Sequence, residues 1–272
     1  FFHPTTATTP PSPFETMFRD GPHLRNITHL LLALEAEVSS RHISFLETGR
    51  SQPSREMLLR LADQLDVPLR ERNAMLLSAG FAPAFPQQGL ESLSLQYARE
   101  AVEAVLAGHE PHPALAVDRH WNLIAAKRAT APFFSGIAPE LTQPPINVLR
   151  ATFHPEGVAQ RIANFRQWRA HFLRRMQRHI DFTADAGLIE LQRELRAYPV
   201  PANADRAYDD LRENDLVVPL RLRTDAGILT FLYTTTVFGT PLEVTLAEIA
   251  IESFFPANRE TAEVMREANP AG

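Results

Sequence analysis

Four hydrogen-bonding side chains stand close together near the amino end: Ser40, Arg41, His42 and Ser44. If the stretch is helical, they occupy the face away from Ile43 and Leu46. Short hydroxyls and a fork-shaped guanidinium are groups that read base edges in a DNA major groove. Ser40, Arg41 and Ser44 are therefore candidates for base contact, with His42 and Arg50 placed to meet phosphates. The bland alternative is an ordinary helical domain whose polar face is merely wet. Glu47 reads as a structural carboxylate near the helix end rather than a base contact.

A second constellation is apolar. Phe133, Phe134, Leu149, Phe153, Phe165, Trp168 and Phe172 supply more volume than is needed to cover one small sheet. Facing them, Leu229, Phe231, Tyr233 and Val237 alternate along one strand, with Thr230, Thr234 and Thr236 on its other side. Such a wall either packs solid or encloses an apolar cavity. In the second case, Arg150, His154, Arg161 and Asn164 are the candidates to meet a ligand's polar head.

Other reactive chemistry is scarce. The chain has no Cys, which excludes disulfides, thiolate metal sites and thiol nucleophiles. It has neither a GxSxG elbow nor a glycine-rich phosphate loop. His109 and His112 form an HxxH beside prolines, with no further ligand converging in sequence, so they are assigned to a loop. No enzyme, metal or cofactor is expected. Six Arg between Pro155 and Ile180, against one Glu, make a basic face expected to be solvated.

These groups need elements to hold them. The Ser pair at 39–40 opens one short helix and Gly49 ends it, before Pro53 and Ser54 start the next. Met57, Leu58, Leu61 and Leu65 predict a helix from Ser54 to Leu65, and Leu69 to Ala79 predicts another, ended by Gly80. Two short helices joined by a tight polar turn form the back half of a small DNA-reading unit. The connector FAPAFPQQG (81–89) marks a domain boundary, followed by a helix from Leu90 to Ala107 with Leu93, Tyr97, Ala101 and Val105 as its stripe. Leu115–Val117 and Trp121–Ile124 read as a hairpin. Val158, Ile162, Phe165, Trp168, Phe172, Met176 and Ile180 predict one long helix, and Ala184 to Ala197 predicts another. Strands return at Leu216–Arg223, Ile228–Phe238 and Val244–Phe255. Five strands, split two and three around a helical insert, match an antiparallel sheet with helices on one face, an α+β class.

Composition is that of a soluble globular protein, 44% hydrophobic and 22% charged. No run approaches the roughly 18 apolar residues of a membrane-spanning helix, so a cytoplasmic protein with no membrane partner is expected. Net charge is −5, and Phe14 to Ala82 carries eight Arg against nine acidic residues. That balance weighs mildly against nucleic acid, whose partners usually show a basic footprint.

The run VSSRHISFLETGRSQPSREMLLRLADQLDVPLRERNAMLLSAGFAP (38–83) and the later VFGTPLEVTLAEIAIESFFP (237–256) resemble the Xre-type helix-turn-helix regulators that carry an MmyB-like ligand-binding domain. The likeness spans Gly21 to about Glu267. It implies an all-α helix-turn-helix domain over 14–82 and a PAS-like domain over 90–268, with a five-stranded antiparallel sheet and helices. It adds Thr28, His29 and Ser39 to the DNA-contacting residues. It implies double-stranded operator DNA and a ligand as partners, and the lining suggests an apolar, fatty-acyl-like guest. A symmetric homodimer is expected, because two reading helices about 34 Å apart match successive major grooves. Coupling between domains is expected through Leu90 to Ala107. The runner-up is a sensor or scaffold whose helical domain binds a protein instead of DNA.

The sequence departs from the family pattern twice. About six residues usual between the first two helices are absent after Ile27, through either a true deletion or numbering that runs across a disordered loop, and the second is the expectation. Glu37 also stands where a turn glycine is expected.

Overall fold

The computed structural model describes residues 51–90, 92–204 and 217–268. The chain divides into two compact units, residues 1–87 with 242–247 and residues 88–241 with 248–272.

In the first unit, Ser54 caps helix α1 (Arg55–Gln64), its hydroxyl accepting the Met57 N–H at 3.2 Å. Capping satisfies one of the four N–H groups that a helix start leaves without partners. Leu58, Leu61 and Ala62 form the buried face, and Leu65 and Val67 extend it. Helix α2 (Leu69–Ser78) follows Pro68 and closes through Gly80, whose φ of 84° is the left-handed conformation that glycine adopts without penalty. Asn73, buried on α2, accepts the Ala84 and Phe85 N–H groups and donates to the Phe85 carbonyl. One amide side chain thereby fastens the proline-rich connector to the helices.

The segment Leu242–Ala247 also belongs to this unit. A strand was expected from Val244, yet Val244–Ala247 is a single helical turn. The Val244 N–H donates to the Pro86 carbonyl at 2.9 Å, and Glu243 caps the Leu246 N–H at 2.8 Å, so neither is free to join a sheet ladder.

The second unit contains helix α3 (Gln96–Gly108), then strands β1 (Ala114–Val117) and β2 (Leu123–Ala126). On α3 the buried row is Ala98, Val102 and Leu106 rather than the expected Tyr97 row, and Tyr97 is 82% exposed. Two apolar rows run along QYAREAVEAVLAG (96–108), and the row of Ala98, Val102 and Leu106 is the one that packs. Between β1 and β2 the Asp118 carboxylate accepts the N–H groups of His120 and Asn122, each at 2.8 Å. Trp121 there has a φ of 67°, a conformation costing about 1–2 kcal/mol for a residue with a Cβ. That turn brings the indole into the core.

Helix α4 (Val148–Phe153) leads to a 3₁₀ turn, then to the long α5 (Phe165–Thr183) and its antiparallel neighbour α6 (Ala186–Ala197). One continuous helix from Val158 is expected, but Ile162 is extended and Ala163–Asn164 form a turn before the helix starts. Ile162 bridges Leu222, the Ala163 N–H donates to the Arg221 carbonyl, and Asn164 bonds the Pro219 carbonyl and the Arg221 N–H. Strand edge bonds at these three residues replace a helical turn.

The sheet is completed by β3 (Leu220–Thr224), β4 (Gly227–Val237) and β5 (Ala250–Pro256), in the order β2-β1-β5-β4-β3 with every pair antiparallel. Helix α7 (Arg259–Ala268) packs on β4 and β5, where the buried Thr261 hydroxyl accepts the Thr230 N–H at 2.9 Å. The core lies between the sheet and α4, α5 and α6, with Phe153, Phe165, Trp168 and Phe231 as its largest buried side chains.

Gly157 locks the turn between α4 and α5. A Cβ there would stand 2.2 Å from the Ala151 carbonyl oxygen, which is backbone and cannot swing aside. Gly157→Ala is expected to destabilise this unit by about 1–3 kcal/mol through overpacking. Urea unfolding followed by tryptophan fluorescence checks it.

Candidate functional site

Along β5, Glu252 and Phe254 fall on one face by strand alternation, and on β4 Tyr233 and Thr235 are their cross-strand partners. Across from them α5 presents Trp168 and Phe172. Edge-to-face contacts link these rings: Trp168 to Phe172 at 5.0 Å, Trp121 to Phe172 at 5.1 Å and Phe133 to Phe254 at 5.1 Å. These rings enclose a cavity of about 50 Å³ whose wall is almost wholly apolar. That is room for roughly three to five water-sized groups.

Six of the expected ligand-facing residues line this cavity: Phe133, Phe134, Leu149, Trp168, Phe172 and Tyr233. Phe153, Phe165 and Phe231 are fully buried behind the wall, and Leu229 lies away from it in the same core. The four expected head-group residues are engaged elsewhere. Arg150 pairs with Glu194 at 2.9 Å, and Arg161 donates to the carbonyls of Pro132 and Phe133. His154 packs its ring on Tyr198 at 5.1 Å, and Asn164 holds the edge of β3. Helix geometry explains Arg150: Val148, Leu149 and Thr152 take the cavity side of α4, which turns residue 150 outward.

The polar end of the cavity is a network built on the buried Glu252, with Arg175 half-buried and Thr235 exposed. Arg175 Nη2 lies 3.1 Å from Glu252 Oε1, and Arg175 Nη1 also donates to the Tyr233 hydroxyl. Thr235 donates to Glu252 Oε2 at 3.0 Å. The guanidinium sits 4.8 Å from the Trp121 ring centroid, a cation–π contact. Burial pushes the Tyr233 hydroxyl well above its usual range, and the Glu252 carboxylate adds to the rise. Burial opposes the charge on Arg175, but Tyr233 and Glu252 together outweigh it and raise its pKa. Burial, with Arg175, Arg174 and Arg178 adding repulsion, pushes the His171 imidazole down. The His171 ring stacks on Trp168 at 6.0 Å.

Three further wall residues carry a signal in the sequence: Trp121 falls in the expected hairpin, and Phe254 and Glu252 share a face of the run AIESFFP (250–256). A carboxylate at an inward position of such a run marks a polar end within an apolar wall. The basic stretch 161–178 is likewise not uniformly solvated, since Arg161 in the 3₁₀ turn and Arg169 and Arg175 on α5 direct their guanidinium groups to carbonyls, rings or Glu252. His109 and His112 both rest on the Phe255 ring. Among the described residues no three His, Asp or Glu side chains come together as a metal site requires, and no helix is long and apolar enough to cross a membrane.

A third cluster joins the β1–β2 turn to the start of α6. Arg119 and His120 both contact the Asp185 carboxylate, which also caps the Leu188 N–H at 3.0 Å. Burial alone would raise the Asp185 carboxyl, but the Leu188 N–H, His120 and Arg119 outweigh it and hold it below the usual range. The candidate DNA contacts Thr28, His29, Ser39, Ser40, Arg41, His42, Ser44 and Arg50 lie outside the described residues.

Comparison with known families places both parts. The model described as the MmyB-like transcription regulator ligand binding domain matches residues 98–268, more than half of the chain. A helix-turn-helix model matches residues 24–72. A search of curated proteins found no match. With a helix-turn-helix ahead of that ligand-binding domain, the chain belongs to the MmyB-like transcription regulators, which makes it a ligand-responsive DNA-binding protein.

Proposed function

We propose that the protein is a one-component regulator in which the cavity between α5 and the sheet takes an apolar small molecule that shifts affinity for operator DNA. The observation that carries this reading is the aromatic cavity itself, which lies inside the matched ligand-binding domain and has a polar network at one end. Ligand pockets usually measure about 300–1,000 Å³. At about 50 Å³ this one admits a small molecule as it stands, and a fatty-acyl guest enters only if the wall moves back. Ser40, Arg41 and Ser44 are proposed to read the major groove and His42 and Arg50 to meet phosphates, with Thr28, His29 and Ser39 beside them, in a symmetric dimer.

The second reading, a helical domain that binds a protein, draws on the net charge of −1 over residues 14–82. Salt separates the two. Operator binding is expected to weaken steeply between about 50 and 200 mM salt and to be lost in Arg41→Ala, as measured by anisotropy of a labelled DNA fragment selected with the protein. A complex that tolerates salt and survives Arg41→Ala supports the protein partner instead.

A further inference from the structure

Glu252 is 2% exposed and reaches the wall of the cavity, yet its Oε1 accepts no hydrogen bond. Arg175 Nη2 is 3.1 Å away without directing a hydrogen at that oxygen, while Oε2 is served by Thr235 and, at 3.4 Å, by Arg175 Nη1. Two other polar groups at the wall have partners. Thr152 donates to the Val148 carbonyl at 2.7 Å, and the Tyr233 hydroxyl accepts from Arg175. A buried acceptor left without a donor is costly, so whatever enters the cavity gains most by supplying one.

Charge narrows the class further. Arg175 and Glu252 already neutralise each other, so a carboxylate guest would face Glu252 as a like charge and an ammonium guest would leave a surplus positive charge inside an apolar wall. We infer that the cavity selects a neutral molecule with an apolar body and one hydroxyl or comparable N–H donor, which donates to Glu252 Oε1. This rests on the reading of the cavity as the ligand site, and it replaces Arg150, His154, Arg161 and Asn164 as the expected meeting point for the head group.

Both tryptophans of the chain, Trp121 and Trp168, line the cavity, so intrinsic fluorescence reports its occupancy. The full-length protein is titrated with four probes of five heavy atoms each: 1-butanol, its isomer methyl propyl ether, propanoate and butylamine. The two isomers have the same atoms and differ in the O–H. 1-Butanol is expected to bind about tenfold or more tightly than each of the other three. In Glu252→Gln the amide oxygen can take the Arg175 contact and turn its NH₂ toward the cavity, so the preference for alcohol over ether should fall below about threefold. Equal binding of the isomers, tighter binding of propanoate or butylamine, or an unchanged preference in Glu252→Gln overturns the assignment of Glu252 while leaving the cavity as a ligand site. No fluorescence response to any of the four overturns the ligand site and the assignment together. Should Glu252→Gln fail to fold, the comparison of isomers on the wild-type protein decides.

Discussion

Trp168→Ala is expected to cost the ligand-binding unit about 3–5 kcal/mol. Trp168 is 2% exposed and meets Phe172 at 5.0 Å and Tyr233 at 5.4 Å, so truncation removes contacts on α5 and on β4 together. The space left behind adjoins the cavity, and close-packed walls of rings held edge to face have little freedom to collapse into it. For a domain of this size the loss corresponds to roughly 6–20 °C in Tm. Trp121 remains as the reporter, and thermal unfolding of the full chain followed at its emission measures the change. A loss below about 1 kcal/mol would show that the wall repacks and that Trp168 does not hold α5 on the sheet.

Arg175→Met is expected to destabilise the same unit by about 3–5 kcal/mol, for an electrostatic reason. The substitution keeps much of the aliphatic stem but leaves the buried Glu252 carboxylate without a counter-charge and Tyr233 without its donor. Trp121 loses its cation as well. Because the penalty comes from an uncompensated charge, removing that charge should restore most of the stability. The double variant Arg175→Met with Glu252→Leu is therefore expected to be closer to wild type than Arg175→Met alone. Urea unfolding of the four proteins gives the coupling. Additive losses would mean that Arg175 acts through packing and that the ion pair contributes little.

The elements read most directly from sequence are those whose signals are local. Ser54 before Met57, Leu58 and Leu61 fixes α1 because a cap and a period act within one turn, and Gly80 stops α2 by its own backbone freedom. The division of five strands around a helical insert is also legible, from the alternation of β3 and from the short apolar run of β1, whose four residues are all buried. What escaped was decided by partners distant in sequence. Val244 reads as strand until Pro86 takes its N–H, and Val158 and Ile162 read as helix until β3 draws Ile162–Asn164 alongside. On α3 the choice between the Tyr97 row and the Val102 row belongs to the surface it packs on.

The site divides in the same way. Aromatic volume on α5 and β4 is visible residue by residue, because those positions alternate or step at helical period. The polar end is not, since Arg175 and Glu252 are 77 positions apart and only the folded sheet brings them together. Arg150 and Arg161 looked available because nothing local showed Glu194 or the carbonyls of Pro132 and Phe133 claiming them.

The direct test of a cavity that governs DNA affinity begins with protein purified from cells. The protein is denatured, the released small molecule is identified by mass, and the refolded, stripped protein is compared with protein to which that molecule has been restored. Anisotropy of a labelled operator fragment is the readout. An apolar molecule is expected, and restoring it is expected to change operator affinity by about 5–150-fold, the range of typical coupling between two sites. Identical operator affinity for stripped and restored protein would contradict the account.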